Sequence, residues 1–171
     1  MNSSVPIPLN EMERLAAIRD LGSSTSINSD KFDQIAYHTA QQLNTPFCFL
    51  SIIYSSKIKF LASFGSEVKE IPRELGICTH VIADIKATNH FERLYEISNM
   101  LDHHIFRDNP LVCNSPEVRS YLGYTLQSSN GCNLGTLCVM DSSPRNYSDQ
   151  NKFDLAVLGE IANRLLLGSI S

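Results

Sequence analysis

The chain alternates between stretches with helical spacing of apolar residues and stretches where apolar residues recur every second position. Residues 10–21, NEMERLAAIRDL, place Met12, Leu15, Ala16 and Ile18 at helical spacing behind a capping Asn10, with Gly22 as a stop. A second helix is predicted over 29–44, capped by Ser29 or Asp30, burying Phe32, Ile35, Ala36 and Leu43 and ending before Pro46. FCFLSIIY, 47–54, is apolar on both alternating faces and reads as a central strand covered on both sides. After SSK, the run 58–65 sets Ile58, Phe60, Ala62 and Phe64 on one face against Lys59, Leu61 and Ser63, which predicts a hairpin.

The pattern then loosens. ELGICTHVIADI predicts a loop leading into a short helix with Cys78 near its start, and 92–118 holds at most a helical turn or two at HHIFRDNP. Regularity returns with 119–127 and 132–140, joined by SSNG as a second hairpin because Asn-Gly supplies the positive backbone angle of a tight turn. Ser148 caps a last helix from 149 to about 167. Its apolar residues, from Phe153 to Leu166, spread around most of the circumference, so two sides are expected to be covered. The sheet would take one; the first helix or the same helix of a second copy would take the other. The order of elements predicts an α+β fold with a central antiparallel β-sheet and the terminal helices on one face.

Composition adds limits. With 171 residues, 43% of them hydrophobic, the chain is read as one domain, 1–171, with a core of about 11–167. A net charge of −4 without blocks of like charge points away from nucleic acid and anionic membranes. No apolar run approaches membrane-spanning length, and a cytoplasmic protein is expected. Five cysteines, Cys48, Cys78, Cys113, Cys132 and Cys138, stand at wide spacings and are expected as free thiols, with no local metal-ligand spacing. No metal or cofactor is assigned. The catalytic signatures GxSxG, HExxH and GxxxxGK[ST] are missing, so a binding role is expected rather than an enzyme.

One position is odd. Gly135 interrupts the strand CNLGTLCVM, and a strand glycine weakens the strand unless backbone or ligand comes close to it. Either reason would serve.

Several segments, in order, resemble GAF domains of the bacterial signalling type: ERLAAIRDLG, FDQIAYHTAQQLNTPFCFLSII, KFLASFG, Arg73 to Ile82 with its Cys-x-His, FRDNPLV, VRSYLGYTL and LGTLCVMDSSPR. The resemblance runs from about 11 to 167. It implies a GAF fold with irregular loops and short helices over the second sheet face, and a small-molecule pocket beneath them, within 65–82 and 92–118. It implies a sensory domain in signal transduction that passes ligand state through its terminal helices to an effector on the same or a separate chain, and the two-sided last helix adds the expectation of a homodimer through those helices.

Cys78, His80, Phe106, Arg119 and Tyr121 match the family's pattern and, with Gly135, are the candidate ligand residues. Each has a plainer role available: an inert buried thiol, a tie between loops, a structural ion pair of Arg119 with Glu117 or Asp108, or core packing.

Departures stand at Asn99, His103 and Ile105, where relatives carry Asp, Asp and Arg, and at Thr125, where Pro is usual. The Cys-His dipeptide of bilin-binding members is missing, and NKFD at 151–154 copies only the start of the cyclic-nucleotide motif. Two alternatives remain: a thiol-dependent protein, either a free methionine sulfoxide reductase or a redox sensor, and a ligand-free dimerisation module whose pocket is filled by Phe60, Phe64 and Phe106.

Overall fold

In a computed structural model, residues 5–22, 25, 28–86, 89 and 91–168 are described. The elements run α1 (Glu11–Asp20), α2 (Ser29–Leu43), β1 (Phe47–Ile53), β2 (Lys57–Phe64), β3 (Glu70–Pro72), α3 (Ile77–Asp84), β4 (Leu94–Ile97), α4 (Pro110–Cys113), β5 (Ser120–Gln127), β6 (Asn133–Asp141) and α5 (Asp149–Leu166). The six strands form one sheet in the order β3-β2-β1-β6-β5-β4, every pairing antiparallel.

Each face of the sheet has its own core. Phe32, Ala36 and Leu43 of α2 and Leu155, Ala162 and Leu166 of α5 meet Leu50, Leu122, Tyr124 and Leu137 on one side, the helical face. On the distal face, Ile77, Val81 and Ile82 of α3, with Phe106 and Val112, cover Tyr121, Cys138 and Met140. Burial on both sides is what the two-sided apolar run of β1 demands.

Local signals account for the helix ends. Ser148 and Asn151 form a reciprocal capping box on α5. α2 closes on Asn44 in the left-handed conformation, φ 52°. Neither Asn10 nor Asn28 caps its helix by side chain. Asn28 instead donates to the Leu165 carbonyl at 3.1 Å, so its amide joins α2 to the end of α5.

Three departures from the sequence pattern have physical reasons. Leu50 pairs with Ala62 but Ser51 with Phe60, so Leu61 is an extra residue in β2. This bulge splits the expected apolar face: Ala62 and Phe64 join the helical core, while Ile58 and Phe60 turn to the distal core. In α1, Met12 is 86% exposed, whereas Arg14 is fully buried. The Arg14 guanidinium donates to both Glu11 carboxylate oxygens at 2.9 Å and to the Ile53 carbonyl at 2.6 Å, and Glu11 in turn receives Arg73 at 2.5 Å. Finally, the loose segment contains β4, a four-residue edge strand paired with β5.

Candidate ligand-binding site

Strand alternation and cross-strand register bring Ser51, Thr136 and Thr125 into a row across β1, β6 and β5. Ser51 Oγ lies 3.0 Å from Thr136 Oγ1, and the Thr136 hydroxyl donates to Cys78 Sγ at 3.1 Å. The Tyr121 hydroxyl stands 3.6 Å from the same sulfur, and Cys138 is buried in the same distal core. These polar groups are all buried under the first turn of α3. Thr125 Oγ1 closes the row without a hydrogen-bond partner among the described residues.

The electrostatic consequence falls on Cys78. Its hydrogen bond with Cys138, with those from Thr136, Tyr121 and Ser51, outweighs burial and pulls the thiol below its ordinary pKa. Cys138 moves the other way, raised by the same bond and by burial. Tyr121 is raised well above the ordinary value, first by burial and then by the two neighbouring thiols.

Beside this cluster lies a cavity of about 120 Å³. Phe49, Phe60, Ile71 and Met140 wall it from the sheet; Leu111 and Val118 wall it from the segments over the sheet, and Cys78 is part of its lining. Ser66 and Val68, from the irregular link between β2 and β3, complete the rim.

The candidate residues sort into groups. Cys78 and Tyr121 belong to the buried cluster, and Cys78 alone of the six candidates lines the cavity. His80 meets the buried Phe106 edge-on at 4.9 Å, and Phe106 also meets His103 at 4.7 Å. Burial, partly offset by Asp84, lowers the pKa of His80; that of His103 is lowered likewise. Arg119 donates to the Val112 and Val118 carbonyls at 2.8 and 3.2 Å, so it clamps the α4 segment where an ion pair with Glu117 or Asp108 was expected. Gly135 faces backbone: a Cβ there would stand 1.8 Å from the Ser51 carbonyl oxygen of β1. The close approach that explains this glycine is that of the neighbouring strand.

Sequence reading passed over the amides. Asn133 donates to the Ile82 and Ile85 carbonyls at 2.8 and 2.7 Å, closing the C-terminal end of α3. Gln127 donates to Asn133 Oδ1 at 2.9 Å, and Asn163 of α5 bonds the Gln127 backbone. A buried polar chain thus runs from α3 to α5. Such residues carry no periodic signal; only their polarity inside apolar runs marks them.

No family profile matches the chain. A cyclic di-GMP phosphodiesterase of Pseudomonas aeruginosa is 30% identical over 165 residues, covering 96% of this chain. The chain spans about a quarter of that protein, 26% of its length. Among solved structures, a type II free methionine-R-sulfoxide reductase from Thermoplasma acidophilum superposes with a TM-score of 0.65 at 12% identity, over 84% of this chain and 94% of that one. The PixJ GAF domain of Thermosynechococcus elongatus gives 0.65 at 14%, over 86% and 89% of the two chains. A GAF domain from an Acinetobacter phosphoenolpyruvate-protein phosphotransferase gives 0.60 at 17%, over 92% and 98%. The chain has the GAF fold: an α+β unit with a six-stranded antiparallel sheet.

Proposed function

We propose that the chain is a sensory, small-molecule-binding domain whose ligand occupies the distal-face cavity and whose state reaches a partner through α5. The cavity beside Cys78 is the observation that carries this reading. It is formed by the irregular segments, which are where a rigid sheet leaves freedom for recognition. Its wall includes Gly76, Ile77 and Cys78 at the start of α3, while Asn133 holds the other end of α3 and leads through Gln127 to Asn163. A ligand that shifts α3 therefore has a bonded route to α5.

On the outer side of α5, Phe153, Val157 and Ile161 are 51%, 45% and 41% exposed at i, i+4, i+8 spacing. α2 covers α5 from within the chain, and this stripe is the surface we assign to a homodimer contact. Sedimentation of the chain and of Val157→Lys tests it: a dimer that the substitution dissociates is expected, and a monomeric parent overturns it. We further propose a cytoplasmic signalling role upstream of an effector of the kind named for the Pseudomonas relative, one that hydrolyses cyclic di-GMP.

A thiol-redox reading is favoured by one observation, the burial of Cys78 and Cys138 in the same distal core, where each shifts the other's titration. Two such thiols can give up two electrons and two protons to a sulfoxide, yielding a disulfide, the sulfide and water. Turnover of free methionine sulfoxide with a thiol reductant tests it; a Cys138→Ser variant would then lose that turnover.

A further inference from the structure

The cavity carries more than a location. Its walls come from Phe, Ile, Leu, Val, Met and Pro side chains, and no Lys, Arg, His, Asp or Glu is among them. Ser66 and Cys78 supply the polar side chains, and the Cys78 sulfur is already taken by Thr136 and Tyr121. The nearby guanidinium of Arg119 is turned away onto the Val112 and Val118 carbonyls. At about 120 Å³, the space is somewhat smaller than the roughly 150 Å³ apolar cavity that stays dry and takes up benzene.

We infer that the ligand of this cavity is a small, uncharged, mainly apolar molecule, about the size of one small ring or a short branched chain, and that nucleotides are excluded from it. The inference rests on the sensory reading of the same cavity. A phosphate placed here would lose its water among apolar side chains without meeting a cationic one, a cost of several kcal/mol that apolar contact does not return. An apolar guest has the opposite balance, because every wall atom it touches is a gained dispersion contact and it surrenders no hydrogen bonds. The rim supplies an entrance in kind: Val68, 47% exposed, is an apolar residue held at the surface beside the opening.

The test is a pair of NMR titrations of the full chain, one with toluene and one with cyclic GMP, repeated on Val118→Phe and on Ile71→Phe. Each substitution places a ring where the guest would sit; the two come from different elements, so one folded variant suffices. Toluene is expected to give saturable shifts at Cys78, Val118 and Met140, lost or at least about tenfold weaker in the filled variants, while cyclic GMP leaves those resonances unmoved. Shifts of the same residues by cyclic GMP would overturn the ligand class and leave the sensory reading standing. Absence of any toluene shift would also overturn the class. If the purified chain in addition carries no retained molecule by native mass spectrometry, the sensory reading falls with it.

Discussion

Asn163 and the backbone of Gln127 are joined at two points: the Gln127 N–H donates to Oδ1 at 2.7 Å, and Nδ2 donates back to the Gln127 carbonyl at 2.8 Å. The side chain of α5 thereby replaces the strand partner that β5 lacks at its end. Asn163→Leu removes both of these hydrogen bonds from buried backbone groups. A loss of about 2–4 kcal/mol is expected, measured as a lower urea midpoint with unchanged m value. Gln127→Leu, which leaves the backbone pair intact, is expected to cost less than Asn163→Leu.

The same residues mark the limit of what the sequence discloses. Periodicity found α2, the central strand, the second hairpin and α5, since each is long and its apolar positions obey one spacing. It missed β4, because Leu94–Ile97 is four residues long and its pairing depends on β5, distant in sequence. It also misread β2, where one extra residue at Leu61 moves Ile58 and Phe60 to the other face. Arg14 was invisible for another reason. A pattern that assigns cations to the surface cannot see that Glu11 and the Ile53 carbonyl await one inside. At the site, Cys78 and Tyr121 were legible from the family resemblance, whereas Ser51 and Cys138 became partners only once α3 was laid across β1, β5 and β6.

Gly135 gives a sharp contrast with Gly131. A methyl group at Gly135 meets the Ser51 carbonyl at 1.8 Å and the Ile52 Cα at 3.0 Å, so β1 and β6 must separate. Gly135→Ala is expected to cost at least the upper part of the roughly 1–3 kcal/mol range of overpacking. At Gly131 a methyl group meets open space, and the φ of +85° is the only obstacle. Gly131→Ala is expected to cost about 1 kcal/mol. Denaturant midpoints of the two variants check the order.

Stability should fall in two stages on acidification. The pKa of both His80 and His103 is lowered from 6.5 by burial, so the unfolded chain takes up their protons first. Their contribution is complete above 6.5 and is lost as the pH falls through their folded values. Glu11 follows. Burial would raise its carboxyl, but the hydrogen bonds and charges of Arg14 and Arg73 win and hold it at about 2. Its contribution is complete above 4.5 and is lost toward pH 2. Urea unfolding across this pH range should show the upper stage vanish in a His80→Gln, His103→Gln double variant and the lower stage remain.

Thiol labelling should rank the cysteines. Cys113 is exposed and is expected to alkylate first. Cys78 comes next, since it lines the cavity and its thiol is lowered, ahead of Cys48, whose thiol burial pushes up, and of Cys138. Thr136→Val removes the hydroxyl that donates to Cys78 Sγ and is expected to slow Cys78 relative to Cys113, at a stability cost of about 1 kcal/mol. Timed alkylation with mass mapping reads both effects.

The most direct measurement is native mass spectrometry of the freshly purified chain beside its Val118→Phe variant. A retained low-mass guest on the parent, absent from the folded variant, is the predicted result. A guest that survives filling of the cavity, or a bare parent that also fails to take up toluene, contradicts the account.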